Sequence, residues 1–544
     1  VKPRRKAACI LGLTALGAGL AGLGPARAQT AGLLPSNAAD VNLGDLRQRY
    51  ESVLSTEPPP TQPGFTFSPA ITISGFYASP VSPGAGTSSS SRSDVGLIVN
   101  PSLVISGASQ RLQGTFAYSP QATVYAQDGS ANSFGQNFNA NLHAILVPDT
   151  LFIDLRGTGG LSSAQGGFGG AAAQGLSRSQ LSQNYAFQIS PLLQHRFDGT
   201  GVFELGYTFA DTIVDNGSQV PTSNAFGTVA PNQDETTNAA HVSFTSGENF
   251  GRVRFGGQLS GSQSTGGSLG ASHRYNANTD LAYGITREIT ALGSVGYEDI
   301  HYGGTSAGNI RDMTWSIGTR LLPDPKSTLT LSYGHHDGGN SFSFDGTYQL
   351  GTRLVASARY SQGIGTAAED LQNALASSRL DPFGNPVDSV TGVPLVLEDD
   401  FFGSSGTVNR TERYTASLAY LLDRDVITVA TRTDHSRVLS ASTQTAGGPS
   451  STSGTYVSLA WQHDVSEAVT TNASYQYGIR TGAGSTGTVG TSTEYINTVS
   501  LGASWQLSKT VTTSAQYALD VVSSRTPGTS ETSHYVVLTV NKQF

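Results

Sequence analysis

From about residue 65 to its C-terminus the chain repeats one pattern: segments of roughly ten residues in which apolar and polar side chains alternate with period two. In RLQGTFAYS, Leu112, Phe116 and Tyr118 share one face and Arg111, Gln113 and Thr115 the other. In NFNANLHAILV, Phe138, Ala140, Leu142, Ala144 and Leu146 oppose Asn137, Asn139, Asn141 and His143. RYNANTDLAYGI, DMTWSIGTRLL, STLTLSYGH, ERYTASLAYLL and YINTVSLGASWQL repeat it. Alternation of this kind is the signature of strands with two unlike faces. A soluble sandwich would need a second sheet to cover each apolar face, and so long a train of equal strands offers no second core. Charged residues make up 13% of the chain against a usual ~25%, and hydrophobic ones only 37%, which suits strands facing lipid on one side and water on the other. The net charge of -8 leaves no basic footprint for nucleic acid. Beyond the N-terminus no apolar run reaches the ~18 residues of a spanning helix.

The connections orient the strands. Tight turns at 107–110, 148–150, 198–201, 286–288, 323–326, 423–425 and 508–510 alternate with long Gly/Ser/Asn loops around 80–93, 163–180, 213–235, 365–407, 438–453, 481–492 and 523–531. Short periplasmic turns and long extracellular loops are the asymmetry of an outer-membrane barrel. The fold class is therefore all-β: a transmembrane antiparallel outer-membrane β-barrel over 64–544 of about 22 strands, range roughly 18 to 24, with an even count bringing both ends to the periplasm. The expected location is the Gram-negative outer membrane.

Lys2, Arg4, Arg5 and Lys6 precede ACILGLTALGAGLAGLG and an Ala26-Arg27-Ala28 site, so 1–28 reads as a secretory signal peptide. Cys9 lies within it, which leaves the mature chain without disulfides. Residues 29–63 hold NLGDLRQRYESVL, with Leu43, Leu46, Tyr50, Val53 and Leu54 on one stripe, Asn42 as cap, and EPPPTQP after it. They predict a short periplasmic helix on a stiff linker, too small for the plug of an energised transporter. At the other end, HYVVLTVNKQF places Val536, Leu538, Val540 and Phe544 on one face, resembling the C-terminal signal read by the barrel assembly machinery, with Lys542 a departure from it. Trp461 and Trp505, on apolar faces near short turns, suit an interfacial girdle.

Candidates for chemistry are few. His335 and His336 are adjacent, so they face opposite sides of a strand and cannot share a metal. No G-x-S-x-G elbow, phosphate loop or zinc spacing is found, and the chain is read as a non-enzyme that needs no cofactor. Asp381, Asp388, Glu398, Asp399 and Asp400 form either a solvated loop or a divalent-cation link to lipopolysaccharide. Alternation directs Arg111, Arg196, Arg252, Arg254, Arg320 and Arg353 inward beside short turns, where they would ring the periplasmic mouth. There they either brace lumen carboxylates such as Asp154 and Glu204 or attract an anionic polymer. In the loop 365–407, Thr366 and Glu369 read as a capping box opening a short helix with Leu371, Ala374 and Leu375 on one face. Such a stripe needs apolar cover, so the loop is expected to fold over or into the lumen as a constriction. An external mobile loop is the alternative.

Two stretches carry a resemblance. SDVGLIVNPSLVISGASQRLQGTFAYSPQATVYAQDGSANSFGQNFNANLHAILVPDTLFIDL with the later LQHRF is one, and DPFGNPVDSVTGVPLVLEDDFF leading to ERYTASLAYLLDRDVITVATRTDHSR is the other. Both are similar to outer-membrane barrels associated with exosortase/PEP-CTERM and exopolysaccharide gene clusters. The resemblance implies an envelope role near polysaccharide export and supplies no catalytic residues; the first reading is a passive conduit for exopolysaccharide, with outer-membrane lipids, lipopolysaccharide and periplasmic export components as expected partners. A general or sugar-selective porin and a non-conducting structural or adhesive barrel remain alternatives.

Overall fold

The computed structural model describes residues 64–81, 92–163, 181–216, 233–267, 270–303, 308–380, 386–388, 407–441, 449–484, 492–524 and 531–544. The signal peptide, the 29–63 segment, Asp381 and Glu398–Asp400 lie outside them. Alternation becomes strand wherever it was expected. The strands are β1 (Gly64–Val81), β2 (Arg92–Ala108), β3 (Leu112–Tyr125), β4 (Ser133–Val147), β5 (Leu151–Ser163), β6 (Leu181–Phe197), β7 (Gly201–Asn216) and β8 (Gln233–Ser246). They continue with β9 (Val253–Gly266), β10 (Ser272–Gly284), β11 (Ile289–Tyr302), β12 (Gly308–Asp324), β13 (Ser327–His336), β14 (Gly339–Leu350) and β15 (Leu354–Gly365). After a helix, α1 (Ala367–Ser377), and a small hairpin of β16 (Ser378–Leu380) and β17 (Pro386–Asp388), the wall resumes. Its last strands are β18 (Thr407–Leu421), β19 (Asp425–Ala441), β20 (Pro449–Ser466), β21 (Val469–Gly484), β22 (Ser492–Ser508), β23 (Val511–Ser524) and β24 (Glu531–Gln543).

Each wall strand pairs antiparallel with its sequence neighbour, β15 pairs with β18, and β24 closes on β1, giving a 22-stranded barrel with no free edge. Closure matters physically, because an open ladder in lipid would leave a row of unpaired N–H and C=O groups. The seam is also joined by side chains on its inner face: Asn541 Nδ2 donates to Thr72 Oγ1 at 2.7 Å, and Ser74 and Thr539 hydroxyls meet at 3.0 Å. Beside them Phe76 packs edge-on against Tyr125 at 5.1 Å, in a buried cluster with Tyr535 and Val537.

The apolar face is the outer one. Met313, Trp315 and Ile317 on β12, Leu281 and Tyr283 on β10, and Val457, Leu459 and Trp461 on β20 all stand exposed on alternate positions. Aromatic side chains collect at both rims. Phe197, Tyr283, Tyr348, Tyr420, Trp461 and Trp505 lie near the tight-turn end, and Tyr77, Phe134, Tyr275, Tyr297, Tyr333 and Phe342 near the other. On β10 the eight-residue step from Tyr275 to Tyr283 spans about 27 Å along the strand, or about 20 Å across a bilayer at a tilt of ~40°. That is within about 5 Å of the ~25 Å apolar band of an outer-membrane barrel, and it places this barrel in the Gram-negative outer membrane. Val536, Leu538, Val540 and Phe544 face outward on the closing strand.

One connection departs from the expected asymmetry. At the long-loop end, β13 and β14 are joined by only Asp337 and Gly338, with φ of 52° and 67°, the type I′ geometry that closes a two-residue hairpin. These are also among the shortest wall strands, 10 and 12 residues, so the wall is low there. That notch is where the chain after β15 turns inward into α1.

Candidate functional site

The site is assembled on α1. Thr366 has extended backbone (φ -88°, ψ 163°), its Oγ1 accepts from the Glu369 amide at 3.1 Å, and Glu369 Oε2 accepts from the Thr366 amide at 3.1 Å. Both halves of the capping box are thus made, and Glu369 and Asp370 add negative charge at the positive end of the helix dipole. The stripe covers itself inside the barrel: Leu371 and Leu375, 8% and 3% exposed, pack with Ala374 on Ala186, an inner-face residue of β6. Each buried leucine contributes roughly 1.5–3 kcal/mol of apolar stabilisation.

Polar anchors run the length of the helix. Gln372 Nε2 donates to Thr212 Oγ1 of β7 at 3.0 Å. Arg156 of β5 donates Nη1 to the Leu375 carbonyl at 3.3 Å and to the Ala376 carbonyl, placing a cation at the negative end of the dipole. At the other end Thr366 Oγ1 donates to Glu235 Oε2 of β8 at 3.3 Å. The helix, about 16 Å long at ~1.5 Å per residue, therefore lies across the inner wall from β8 to β5 as a ledge.

A buried network fastens the ledge where it enters. Tyr302 donates to Glu369 Oε2 at 2.8 Å, while Arg274 donates to Tyr302 Oη at 3.2 Å, to the Ile364 carbonyl at 2.8 Å and to Asp337 Oδ1 at 2.9 Å. Arg410 donates to the Asp337 carbonyl at 2.6 Å, and the Gly338 amide donates to Glu298 Oε1 at 3.1 Å. Ile364 and Val408 pack on Ile300 and Tyr302, so the tops of β15 and β18 reach the inner face of β11 over the low hairpin. Burial pushes the Glu369 carboxyl above the usual carboxylate range, although the Tyr302 and Thr366 bonds pull the other way. Burial also opposes charge on Asp337, but the His336 bond and the Arg274 guanidinium hold its carboxyl below its usual range.

The expected site residues fall into two groups. Thr366, Glu369, Leu371 and Leu375 come together in the ledge. Of the arginines, Arg196, Arg254 and Arg320 stand on β6, β9 and β12 at inner-face positions near the tight-turn end, whereas Arg111, Arg252 and Arg353 sit in the turns themselves. Bracing by Asp154 and Glu204 does not occur: Asp154 bonds His143 at 2.7 Å and Glu204 takes Gln194 at 2.8 Å. Arg353 alone of these arginines makes an ion pair among the described residues, with Asp423 at 3.1 Å. His335 bonds Asp312 and Asn340 while His336 meets Asp337 and Ser341, so the two imidazoles diverge as alternation requires. Among the described residues no group of three or more metal-ligating side chains is found. Sequence reasoning missed Glu235, Arg274, Tyr302 and Arg156. Their only signal was a charged or phenolic group at an inner-face position, which does not say what lies opposite.

No protein-family model matches the chain, and neither does any curated protein. Among solved structures it is similar to the FrpB iron transporter from Neisseria meningitidis (11% identity, 88% of this chain and 82% of that one, TM-score 0.48). It is also similar to the siderophore receptor PiuA from Acinetobacter baumannii (9%, 89% and 82%, 0.46) and the ferric citrate transporter FecA (9%, 89% and 80%, 0.49). Likenesses at this level decide nothing about this chain, whose barrel is shown by its own strand ladder.

Proposed function

We propose that this chain is a passive outer-membrane conduit for exopolysaccharide leaving the periplasm, narrowed by the α1 ledge. Twenty-two strands at ~4.8 Å spacing and ~40° tilt enclose a backbone cylinder roughly 40–45 Å across, about 30 Å between facing side chains. An unobstructed lumen of that width would leak solutes, so a barrel this size needs an internal restriction. The observation that carries the reading is the ledge itself, capped, anchored along its length and buried against the inner wall. A helix ~10 Å thick projects far enough to change what passes. The lumen surface suits a polyhydroxylated cargo, since the inner row of β4 offers Asn137, Asn139 and Asn141, which donate and accept without charge. The sequence resemblance to exopolysaccharide-cluster barrels supports the same cargo.

Deleting residues 367–403 and rejoining the ends with a short Gly/Ser linker is expected to raise single-channel conductance several-fold and to sensitise cells to large antibiotics. Unchanged conductance from a correctly assembled barrel would remove the ledge from any gating role. Deleting the gene is expected to reduce surface polysaccharide, and a normal polysaccharide coat in that strain would favour a porin.

A further inference from the structure

Directly beneath the ledge the inner wall carries one lateral row: Asn141 of β4 pairs with Arg156 of β5, which pairs with Gln188 of β6. Their outward neighbours Leu155, Phe187 and Ile189 are exposed to lipid, so the row itself faces the lumen. Strand spacing puts the three side chains about 10 Å apart end to end, the scale of one pyranose ring with its substituents. Part of the hydrogen-bonding capacity of the row is unspent. Gln188 Oε1 is buried with no partner among the described residues while its Nε2 donates to Ser190 Oγ at 3.2 Å, and among those residues Arg156 is answered only by the Leu375 and Ala376 carbonyls of α1. Among the described residues no carboxylate makes an ion pair with Arg156; Asp154, whose charge acts on it, bonds His143 at 2.7 Å. A half-buried guanidinium satisfied by two neutral carbonyls would exchange them for a carboxylate, which accepts in bidentate geometry with roughly twice the strength of a neutral acceptor.

We infer that Asn141, Arg156 and Gln188 form a subsite for an anionic sugar unit, of the uronic-acid type, and that its occupation detaches the C-terminal end of the ledge. Arg156 binds the carboxylate and the two amides bind ring hydroxyls. Both helix carbonyls are held by Nη1 alone, so a carboxylate taking the Nη1/Nη2 edge displaces them, and the helix end loses its anchor on β5 while Glu369 keeps the other end fastened. Cargo thereby opens its own path. This deepens the conduit reading and rests on it for the direction of travel, but not for the binding itself.

The test uses the full-length mature protein in detergent, with oligogalacturonate of four to six units as probe and maltohexaose as its uncharged counterpart. Wild type is expected to bind oligogalacturonate at least tenfold more tightly than maltohexaose. Arg156→Gln is expected to lose that preference and Arg156→Lys to keep part of it, whereas Arg287→Gln in an exposed turn leaves it intact. Ledge release is read separately: Ala374→Cys, in a mature chain without other cysteines, should react with a maleimide several-fold faster when oligogalacturonate is present. Equal binding of the two oligosaccharides, or wild-type preference in folded, heat-modifiable Arg156→Gln, overturns the subsite. Tight binding with no acceleration at Ala374→Cys overturns the release step. If the ledge deletion conducts and oligogalacturonate does not bind, the subsite fails and the conduit stands; binding to a barrel that never conducts sinks the conduit alone.

Discussion

Arg254 and Arg320 differ from Arg353 in what answers their charge. Arg353 meets Asp423 at 3.1 Å, both largely exposed, a pair worth little in high dielectric. Arg254 and Arg320 have no such partner among the described residues, so their field extends into the lumen. Replacing both with Gln is expected to lower the anion preference of the ledge-deleted channel in planar bilayers. The effect should be larger at 0.05 M than at 1 M salt, because screening shortens the Debye length to ~3 Å at the higher concentration. Arg353→Gln should leave selectivity unchanged, and a drop equal to that of the double variant would show that position in the turn does not matter. Alternation identified these arginines as inward but could not separate turn from wall. It also could not foresee that Asp154 and Glu204 would choose His143 and Gln194, because a lateral partner is set by strand register and register is not written in any single strand.

At the level of the element, α1 was legible because every signal for it is local. Cap, first-turn acids and stripe all lie within ten residues of Thr366 and need no tertiary information. Removing the cap with Thr366→Ala should weaken docking by about 1 kcal/mol and raise the open-channel fraction a few-fold. An effect below twofold would mean that Tyr302 and Arg274 carry the attachment. Docking should also depend on pH. Glu369 binds its proton more tightly when docked than when free, so its contribution is complete below the ordinary glutamate value of about 4.3 and fades as pH rises through the raised docked value. The groups facing it are Glu235 on β8, Arg274 on β10, Glu298 and Tyr302 on β11, Asp337 with His336 at the β13–β14 tip, Arg410 on β18, and Asp370 on the helix itself. Asp337 works in the opposite sense and loses its contribution only as pH falls below the ordinary aspartate value. Conductance is therefore expected to rise from pH 5 to 8 in wild type and to rise less in Glu369→Gln, where buried Glu235 still bonds Thr366. A flat wild-type profile would place the control of the ledge elsewhere.

For the whole molecule, the barrel could be anticipated from the alternation and its punctuation because lipid imposes closure and belt height on any such chain. The low β13–β14 hairpin could not, although Asp337-Gly338 is a plain two-residue turn signal. Reading every extracellular connection as long hid it, and with it the route by which the ledge enters. Closure also predicts a strict dependence on the last strand. Truncation before Glu531 leaves β23 and β1 with unpaired edges and removes outward-facing Val536, Leu538, Val540 and Phe544. The truncated chain is expected to be absent from the outer membrane, and a normal amount of heat-modifiable barrel from it would contradict the role given to these residues. Removing Phe544 alone tests the assembly signal with the ladder almost intact, and a several-fold loss is expected.

The Asp337–Gly338 turn also bears on surface display. Exposed loop tips are where insertions are ordinarily tolerated, because little else touches them. Here the Asp337 carboxylate is bonded to Arg274, its carbonyl receives Arg410, and the next amide is held by Glu298, so the tip is continuous with the interior. A tag spliced into this turn would pull on the fastening of α1 from outside the cell. This two-residue tip is thus a poor attachment point for a label, and a binder that gripped it would report on the state of the lumen.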